Sequence, residues 1–529
     1  MFAASRYLDS GQRVVLIDRR PRVGGMWVDT YPFVRLHQPH RLFTAGNIAW
    51  ELDRPASYLA TKDEVLTHLR HCADVIERRM PVDERFGCSV ESVTESGDGV
   101  DVRYLGADGR LHHLRAARVI KALGYDISPN DPLPLSSSRV RSVSPDSCDV
   151  REIASDDAPV WIVGSGKTAM DTVHALVADG PGREVNLVAG SGTYFIRRDG
   201  TFPIGARRWW HSPLPNSVLA SVAHRFDGTN EAVVARWYRD RHGTGPLPTA
   251  RNFMLGILSD AENTTISAGL GEVRMDHLVD VVDRNGATEV VFRSGARAPV
   301  ARDSWIVNCS GYMLRSEHPY EPYVSETGSV VSVQLRSAVL PLPAYMGYYL
   351  SHLLHAGLVR ETPLYAIDFE ELRRRGAKPL FAFTGMTLAM YNLGLLAEAL
   401  PARVLRTAAF DYDRWYPRHR QMLGLLRLAA TVTTSAGPST PSADASTSAS
   451  VLGSTGETPA VGSGSGAVTR TLDLRRSRPP NPGGVPHRVH PVLHRTGPAR
   501  HPGAVASTGE RHRAVPDPGA RRSRHPRRP

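Results

Sequence analysis

The stretch that decides the fold is residues 158–190, which read APVWIVGSGKTAMDTVHALVADGPGREVNLVAG. Four consecutive apolar residues, Val160–Val163, predict a buried strand, and the residues from Met170 to Leu176 begin a helical pattern. A second apolar run, Val185–Val188, predicts another strand. The order of strand, turn, helix and strand is typical of one βαβ unit of a Rossmann-like domain.

The turn of this unit carries a glycine pattern that is typical of dinucleotide binding. Gly164, Gly166 and Ala169 fit G-x-G-x-x-A, directly after a strand and at the start of a helix. The first glycine permits a tight turn, the second lets the backbone approach a pyrophosphate, and the small third residue lets helix and strand pack closely. A chance glycine turn is the alternative, whereas an ATP-binding P-loop is excluded because Trp161 occupies the position of its first glycine. The predicted binding residues are Gly164, Ser165, Gly166, Lys167 and Thr168.

The net charge is unevenly distributed along the 529 residues. Residues 431–529 hold 14 Arg and 5 acidic residues, so +9 of the formal charge of +11 lies there and +2 remains for residues 1–430. The nearly neutral body gives no electrostatic reason to expect specific nucleic-acid binding. The tail has no Phe, Tyr or Trp for a core or for base stacking, which predicts disorder. A reading-frame artefact is the alternative explanation of its composition.

Four cysteines, Cys72, Cys88, Cys148 and Cys309, are scattered without a C-x-x-C pair. This spacing argues against a redox-active disulfide and against a zinc site, and no other metal site is predicted. No apolar stretch approaches the roughly 18 residues of a membrane span, and no signal peptide opens the chain. We therefore expect a cytoplasmic protein with free thiols and no membrane partner.

The first 18 residues, MFAASRYLDSGQRVVLID, repeat the second half of the central unit. A helix and the strand Val14–Ile17 are predicted, and Asp18 then takes the position of the acid that bonds an adenosine ribose. With Met1 placed on Met170, the chain begins one residue after a first G-x-G-x-x-G would end. We therefore expect the first strand and glycine loop of this unit to be missing. An ordinary amphipathic helix with a surface aspartate is the alternative.

Two adjacent glycines and a tryptophan follow this acid. Gly24 and Gly25 let the backbone approach a diphosphate or a flavin ring, and Trp27 supplies an apolar wall. The segment Asp18–Trp27 resembles the D/E-x(n)-G-G-x-W segment of flavin-containing monooxygenases and related flavoproteins with two dinucleotide sites. The resemblance implies that Asp18, Gly24, Gly25 and Trp27 bind FAD.

A β-meander pattern occurs twice in the chain. Three short strand patterns precede the strand Val119–Leu123 and Gly124, and three more precede the strand Trp305–Val307 and Gly311. This repeat predicts two units of the same architecture. The turns after these two strands resemble the A-T-G turn of the same flavoproteins, which implies that Gly124 and Gly311 contact nucleotide.

One signature of the resembled family is absent. Flavin-containing monooxygenases carry F-x-G-x-x-x-H-x-x-x-[YFW] between their two units, and residues 137–152 contain none of its Phe, His or aromatic positions. This departure puts oxygen activation in doubt and leaves the fold unaffected. Tyr31 and the segment Leu36–Pro39 continue the resemblance, and His37 and His40 either line the flavin or have a structural role.

The second nucleotide is predicted from the residues that follow Val185–Val188. Ala189 and Gly190 stand where an acid would select NAD by holding the ribose 2′-hydroxyl. Arg197 and Arg198 follow shortly after, and guanidinium groups suit a 2′-phosphate. We therefore predict NADPH, with a solvated arginine pair as the alternative.

The predicted fold is α/β, with two interleaved Rossmann-like domains, the second inserted into the first. Residues 1–157 and 313–430 are predicted to form the two parts of an FAD-binding domain, residues 158–312 an NADPH-binding domain, and residues 431–529 a disordered tail. The predicted function is that of a monooxygenase-like, FAD- and NADPH-dependent oxidoreductase acting on a small organic molecule. A reductase or dehydrogenase without oxygen activation and a non-catalytic dinucleotide-binding protein are the alternatives. No catalytic residue and no oligomeric state are predicted.

Overall fold

Five parallel strands form the sheet of the second unit. In the computed structural model, β8 (Val160–Val163) lies between β9 (Val185–Val188) and β17 (Trp305–Asn308), and the edges are β13 (Leu270–Arg274) and β7 (Arg141–Val143). The three central strands are almost entirely buried, as expected for a parallel sheet with covered faces. The structure describes residues 1, 3–124, 129–180, 182–311, 318–340, 344, 346–359, 361–362, 364–375, 380–405, 412–424 and 494–496.

Helix α3 (Lys167–Asp179) connects β8 to β9. It buries Ala169, Met170, Val173 and Leu176, which recur at the spacing of three and four residues that places side chains on one helix face. The predicted βαβ unit is therefore confirmed, and its helix begins three residues before the predicted Met170.

Each unit carries an antiparallel meander beside its parallel strands. The sequence patterns at both places have the alternation of exposed and buried residues that a half-covered sheet requires. The predicted repeat of the meander is confirmed. Its strands are β3 (Ser89–Ser96), β4 (Gly99–Leu105) and β5 (Leu111–Ala116) in the first unit, and β14 (Leu278–Arg284), β15 (Ala287–Phe292) and β16 (Arg297–Val300) in the second.

The chain returns to the first unit after it has formed the five-stranded sheet. β6 (Val119–Gly124) precedes that sheet and β18 (Val330–Gln334) follows it, and these two strands pair in parallel with Val119 opposite Val330. β1 (Val14–Asp18) and β2 (Val82–Phe86) form another parallel pair of the first unit. Because strands from both sides of the inserted sheet pair with each other, the predicted interleaved α/β fold is confirmed.

Two of the predicted helices differ from those observed. The N-terminal segment forms only a 3-10 turn, Ala4–Tyr7, in place of the predicted longer helix, because it has no capping side chain and Asp9 already has φ +59°. The sequence of residues 386–408 predicts a helix, with Thr384 as a capping side chain at its start. Helix α10 (Leu380–Ala399) begins six residues before Met386, so Thr384 lies inside the helix and does not cap it. The first turns of α10 are apolar on all sides, which leaves no periodic signal to mark its start.

Further helices and short strands complete the two units. The apolar spacing within residues 62–80 predicts a helix. Helix α1 (Lys62–Arg79) occurs there and begins at a capping box formed by Thr61 and Glu64. The other helices are α2 (Val150–Ile153), α4 (Arg198–Thr201), α5 (Pro215–Arg225), α6 (Glu231–His242), α7 (Asp260–Gly269), α8 (Ser351–His355), α9 (Phe369–Arg374) and α11 (Ala402–Leu405). The other strands are β10 (Thr193–Arg197), β11 (Gly243–Thr244), β12 (Asn252–Leu258) and β19 (Leu364–Ala366).

Among the described residues, α10 has the length and composition of a membrane span. However, 56% of its apolar window is buried inside the protein, and Phe381, Phe383 and Leu388 belong to the main hydrophobic core. We therefore assign α10 as a core helix.

Some predictions fall on residues that the structure does not describe. Tyr125 and Tyr312 of the two predicted A-T-G-like turns lie outside the described residues. The predicted disordered tail at 431–529 lies outside them as well, apart from β20 (His494–Thr496), which pairs with β19.

Candidate functional site

A cavity of about 4150 Å³ lies between the two units. Its wall includes β1, the Gly24–Trp27 segment and the glycine loop at residues 164–168. Thirteen Lys or Arg and seven Asp or Glu side chains line it, so the cavity is more basic than the body of the protein as a whole. This excess of positive charge suits a ligand that carries phosphate groups.

The glycine loop after β8 touches the turn that follows β17. Gly164 has φ +122°, and a Cβ atom there would lie 2.6 Å from the carbonyl oxygen of Cys309. Neither that backbone conformation nor that distance accommodates a side chain. Gly164 therefore lets the loop pack directly on the turn that contains Gly311, which itself has φ +89°.

Helix α3 begins at this loop with an uncapped N-terminus. Gly166 is its N-cap residue, no side chain hydrogen-bonds to its first backbone N–H groups, and Ser165 directs its hydroxyl to Thr193, 3.2 Å away. A Cβ atom at Gly166 would have no atom within 4 Å, although the residue lines the cavity. Unpartnered N–H groups that face open space are the arrangement that binds a pyrophosphate, so this loop fits a dinucleotide.

Lys167 and Asp171 connect this helix to the first unit. The Lys167 ammonium donates to Asp171, whose other carboxylate oxygen accepts a hydrogen bond from the Tyr31 hydroxyl at 2.8 Å. Burial and the Asp171 charge hold the pKa of Tyr31 well above its ordinary value, so the phenol stays protonated. Thr168 hydrogen-bonds to the same hydroxyl. The predicted binding residues Lys167 and Thr168 therefore lie at the junction of the two units.

The two arginines predicted to bind a 2′-phosphate have protein partners. Arg198 forms a bidentate ion pair with Glu262, at 2.6 and 3.2 Å, and donates to the His37 carbonyl oxygen at 2.8 Å. Burial opposes the charge of Glu262, but the Arg198 charge and hydrogen bonds lower the pKa of Glu262 to about 2. Arg197 lies 3.3 Å from Asp260 and on the cavity wall. Arg198 therefore joins α4 to α7, and Arg197 is the member of the pair that lines the cavity.

Two further basic side chains lie at the end of β9. The His277 Nε2 atom would lie 3.1 Å from a Cβ atom at Gly190, and the Arg293 N–H donates to the His277 carbonyl oxygen at 2.9 Å. Arg293 is exposed, and both side chains line the cavity. His277 is close to Gly190 because β13 pairs with β9, so no local motif in the sequence identifies it.

The residues predicted to bind FAD line the opposite part of the cavity. Asp18, Gly24, Gly25 and Trp27 all belong to its wall. Gly24 has φ +146° and a Cβ atom there would lie 2.6 Å from a side chain of α1, whereas Gly25 has φ +54° and open space beside it. The Trp27 ring packs edge-on against Phe43 with 5.7 Å between ring centroids. These four residues, which we call the Asp18–Trp27 surface, therefore line the same cavity as the glycine loop.

The strands next to this surface have open edges. Among the described strands, β1 pairs only with β2 and β6 pairs only with β18, and both β1 and β6 line the cavity. Before β1, the only glycine in residues 1–13 is Gly11, which has φ +72°. The described residues therefore fit the ribose and flavin ends of FAD, and those near β1 form no cradle for its pyrophosphate.

Two buried glutamines lack hydrogen-bond partners. The Gln38 Oε1 atom and both side-chain amide atoms of Gln334 are unpaired. Gln38 lines the cavity, and Gln334 ends β18 opposite Gly124 of β6, a predicted nucleotide contact. An unsatisfied buried amide costs about 1–3 kcal/mol, which favours a polar ligand beside these groups. The sequence analysis did not identify Gln334, since a lone glutamine in an apolar strand matches no motif.

His37 is a titratable side chain on the cavity wall. Burial, together with the charges of Lys167 and Arg198, lowers the pKa of His37 to about 3, so its ring is neutral at pH 7. It can hydrogen-bond to a ligand but carries no charge there. In the part of the chain that the structure describes, no group of three or more His, Cys, Asp or Glu side chains could hold a metal ion.

Sequence comparisons with known proteins find relatives that match only part of this chain. No protein-family model matches the chain. Uncharacterized proteins of Mycobacterium bovis and Mycobacterium tuberculosis are 55% identical to it over 195 residues, which cover 32% of this chain and 32% of each relative. The chain therefore spans about a third of the length of the curated relatives it matches.

Solved flavoprotein structures resemble the chain in fold. A steroid monooxygenase bound to NADP gives a TM-score of 0.44 at 14% identity, over 75% of this chain and 95% of its own. A flavin-containing monooxygenase from Stenotrophomonas maltophilia gives a TM-score of 0.40 at 14% identity, over 67% of this chain and 95% of its own. An ornithine N-hydroxylase from Kutzneria, with reduced FAD, NADP⁺ and L-ornithine, gives a TM-score of 0.36 at 13% identity, over 59% of this chain and 78% of its own. The likeness is one of fold.

Proposed function

We propose that this protein is an oxidoreductase that uses NADPH and FAD to act on a small organic molecule. The observation that carries the proposal is that the uncapped glycine loop of the second unit and the Asp18–Trp27 surface of the first unit line one basic cavity. Two dinucleotides bound at these places would have their reactive ends in the same enclosed space. That arrangement serves hydride transfer between cofactors.

In this proposal the second unit binds NADPH. The N–H groups at the start of α3 hold the pyrophosphate, and Gly166 leaves room for it. Lys167 adds a positive charge on the cavity wall and is oriented by Asp171, which Tyr31 holds from the first unit. Nucleotide binding is thereby linked to the contact between the two units.

The first unit would hold FAD at its ribose and flavin ends. Asp18 would accept hydrogen bonds from a ribose, Gly24 and Gly25 would let the backbone approach the cofactor, and Gln38 would hydrogen-bond to a polar edge. Bound FAD supplies the capacity to accept a hydride and to pass electrons on. The surrounding side chains orient the reactants and exclude water.

Selection of NADPH over NADH is assigned to the end of β9. His277 lies beside Gly190, where a ribose 2′-phosphate would be expected. Arg293, whose backbone N–H bonds to the His277 carbonyl oxygen, and Arg197 contribute from the cavity wall. Replacing Arg293 with alanine should weaken NADPH binding by about tenfold and leave NADH binding unchanged. Titrating both nucleotides against the parent protein and the variant measures this. Equal losses for the two nucleotides would contradict the assignment.

The reaction we favour is monooxygenation, in which NADPH, a proton, O₂ and the substrate give NADP⁺, water and a product with one added oxygen atom.

One observation favours a reductase instead. Residues 137–152, which lack the monooxygenase signature, form β7 and α2 and bring no aromatic or histidine side chain to that interval. A reductase would pass the hydride equivalent to an organic acceptor without forming an oxygenated product.

A single set of assays separates these functions. The full chain, supplied with FAD and NADPH, is incubated with a panel of small thioethers and amines under ¹⁸O₂. Incorporation of one ¹⁸O atom supports the monooxygenase, and reduction of a quinone or disulfide acceptor without incorporation supports the reductase. A chain that binds a dinucleotide but shows neither activity supports the non-catalytic dinucleotide-binding protein, and a chain that binds neither FAD nor NADPH would exclude all three functions.

A further inference from the structure

Five apolar side chains are exposed together around the π-helical turn Arg207–His211. They are Ile204 and Trp210, each 67% exposed, Trp209 at 48%, Met422 at 59% and Leu423 at 51%. Single exposed apolar residues are ordinary, but two adjacent exposed tryptophans beside further apolar side chains mark an interaction surface. We call these five residues the tryptophan patch.

The segments that carry the patch are held together by hydrogen bonds. The Arg420 guanidinium donates to the carbonyl oxygens of Arg208 at 3.2 Å and Ser212 at 2.6 Å. Arg208 in turn donates to the Trp415 carbonyl oxygen at 2.6 Å. The patch is therefore a fixed surface built from two distant parts of the chain.

The His419 ring lies against both exposed tryptophans. Its centroid is 6.0 Å from the Trp209 ring and 5.8 Å from the Trp210 ring. This contact orients both indole rings on the surface while leaving about half or more of each side chain open to solvent.

The charged side chains of the two segments that carry the patch are almost all positive. Residues 200–212 and 412–424 contain five arginines, of which Arg207 and Arg418 are exposed. Their only acidic residue is Asp413, which is buried and accepts a hydrogen bond from the Asn216 N–H. A partner that covers this surface would therefore carry negative charge around an apolar interior.

We propose that the tryptophan patch docks the protein on an anionic lipid surface. Indole rings favour the boundary between headgroups and acyl chains, and arginines beside them bind anionic headgroups. The sequence predicts no membrane partner because it contains no long apolar span, whereas this contact is peripheral. The proposal does not depend on the cofactors.

The patch also borders the cavity. Arg207, His211 and Met422 belong to the cavity wall. The docked face therefore lies next to the cavity.

The test is co-sedimentation of the full chain with vesicles of phosphatidylcholine alone and with about one third phosphatidylserine. We expect binding to the anionic vesicles that weakens at high salt, and a blue shift of tryptophan fluorescence on binding. The double variant Trp209→Ser/Trp210→Ser should bind at least about tenfold more weakly. The matched control Leu111→Ser/Val233→Ser, which removes side chains that are 63% and 58% exposed elsewhere, should bind like the parent.

The charge variant Arg207→Glu/Arg418→Glu distinguishes the electrostatic attraction of the arginines from the apolar contact of the tryptophans. It should lose the part of vesicle binding that depends on salt. Thermal unfolding of all variants should match the parent, because the replaced side chains are exposed. The absence of vesicle binding by the parent would overturn the proposal. Equal binding by the parent and the tryptophan variant would overturn it too, as would a parent that self-associates through Trp209 and Trp210 and binds no vesicles.

Discussion

Gly164 and Gly166 belong to the same loop but have different surroundings. At the residue scale, substitutions at these two positions should therefore affect stability and nucleotide binding separately. A Cβ atom at Gly164 would meet the Cys309 carbonyl oxygen at 2.6 Å, whereas one at Gly166 would meet no atom within 4 Å. Gly164→Ala should therefore lower the free energy of unfolding by about 2–4 kcal/mol. Gly166→Ala should lower the free energy of unfolding by no more than about 1 kcal/mol, since alanine is a poorer N-cap residue than glycine. It should weaken NADPH binding by about tenfold, because its methyl group occupies the place of a phosphate.

Thermal unfolding and nucleotide titration measure these two effects separately. Gly180→Ala is the matched control, because Gly180 lies at the other end of α3 outside the cavity wall, and a Cβ atom there would make only an ordinary contact, 3.4 Å from the Leu176 carbonyl oxygen. It should change neither quantity. A Gly166→Ala variant with unchanged NADPH affinity would show that the pyrophosphate lies elsewhere.

Glu262 makes stability depend on acid pH. Its pKa in the folded protein is about 2, below the ordinary value of 4.5, because Arg198 favours the ionised form. The stabilisation of the folded protein by ionised Glu262 is therefore present above pH 4.5, and it is lost as the pH falls from 4.5 towards 2. Glu262→Gln should lower the free energy of unfolding at pH 7 by about 2–4 kcal/mol and flatten its dependence on pH in that window.

Urea unfolding at a series of pH values tests this prediction. The control is Glu289→Gln, since Glu289 pairs with Arg297 at the surface, where about a third of each side chain is exposed. That variant should change stability by less than about 1 kcal/mol. A Glu262→Gln variant as stable as the control would contradict the structural role of the Arg198 pair.

At the scale of elements, one buried amide anchors the core helix α10. Asn392 is fully buried, donates to the Val339 carbonyl oxygen at 2.7 Å and the Tyr365 carbonyl oxygen at 2.9 Å, and accepts from the Tyr365 N–H at 3.1 Å. Asn392→Leu should lower the free energy of unfolding by about 2–4 kcal/mol, because it leaves these backbone groups unpaired. Glu398→Gln, an exposed change on the same helix, should have no measurable effect in the same unfolding experiment.

The elements that the sequence predicts well are those with a local signal. The strand, glycine loop and helix at residues 158–190 and both meanders follow from periodicity and turn residues, and the structure contains them. Contacts that depend on strand order have no such signal. His277 lies beside Gly190 only because β13 pairs with β9. Arg198 forms its ion pair with Glu262 only because α7 packs on α4.

At the scale of the whole molecule, the inserted sheet brings the two halves of the cavity together. The chain forms β6, builds the second unit and returns as β18 beside β6, so the Asp18–Trp27 surface and the glycine loop lie on one cavity wall. Tyr31 and Asp171 join the two units directly at 2.8 Å. The proposed transfer of hydride from NADPH to FAD depends on this arrangement.

The most direct test is anaerobic reduction of bound FAD by NADPH. The full chain is supplied with FAD, freed of excess cofactor, and mixed with NADPH or NADH while the flavin absorbance is recorded. We predict that NADPH bleaches the flavin at a lower concentration than NADH does, and that Gly166→Ala requires about tenfold more NADPH. A chain that retains FAD but is not reduced by either nucleotide, or a chain that retains no FAD, would contradict the proposed function.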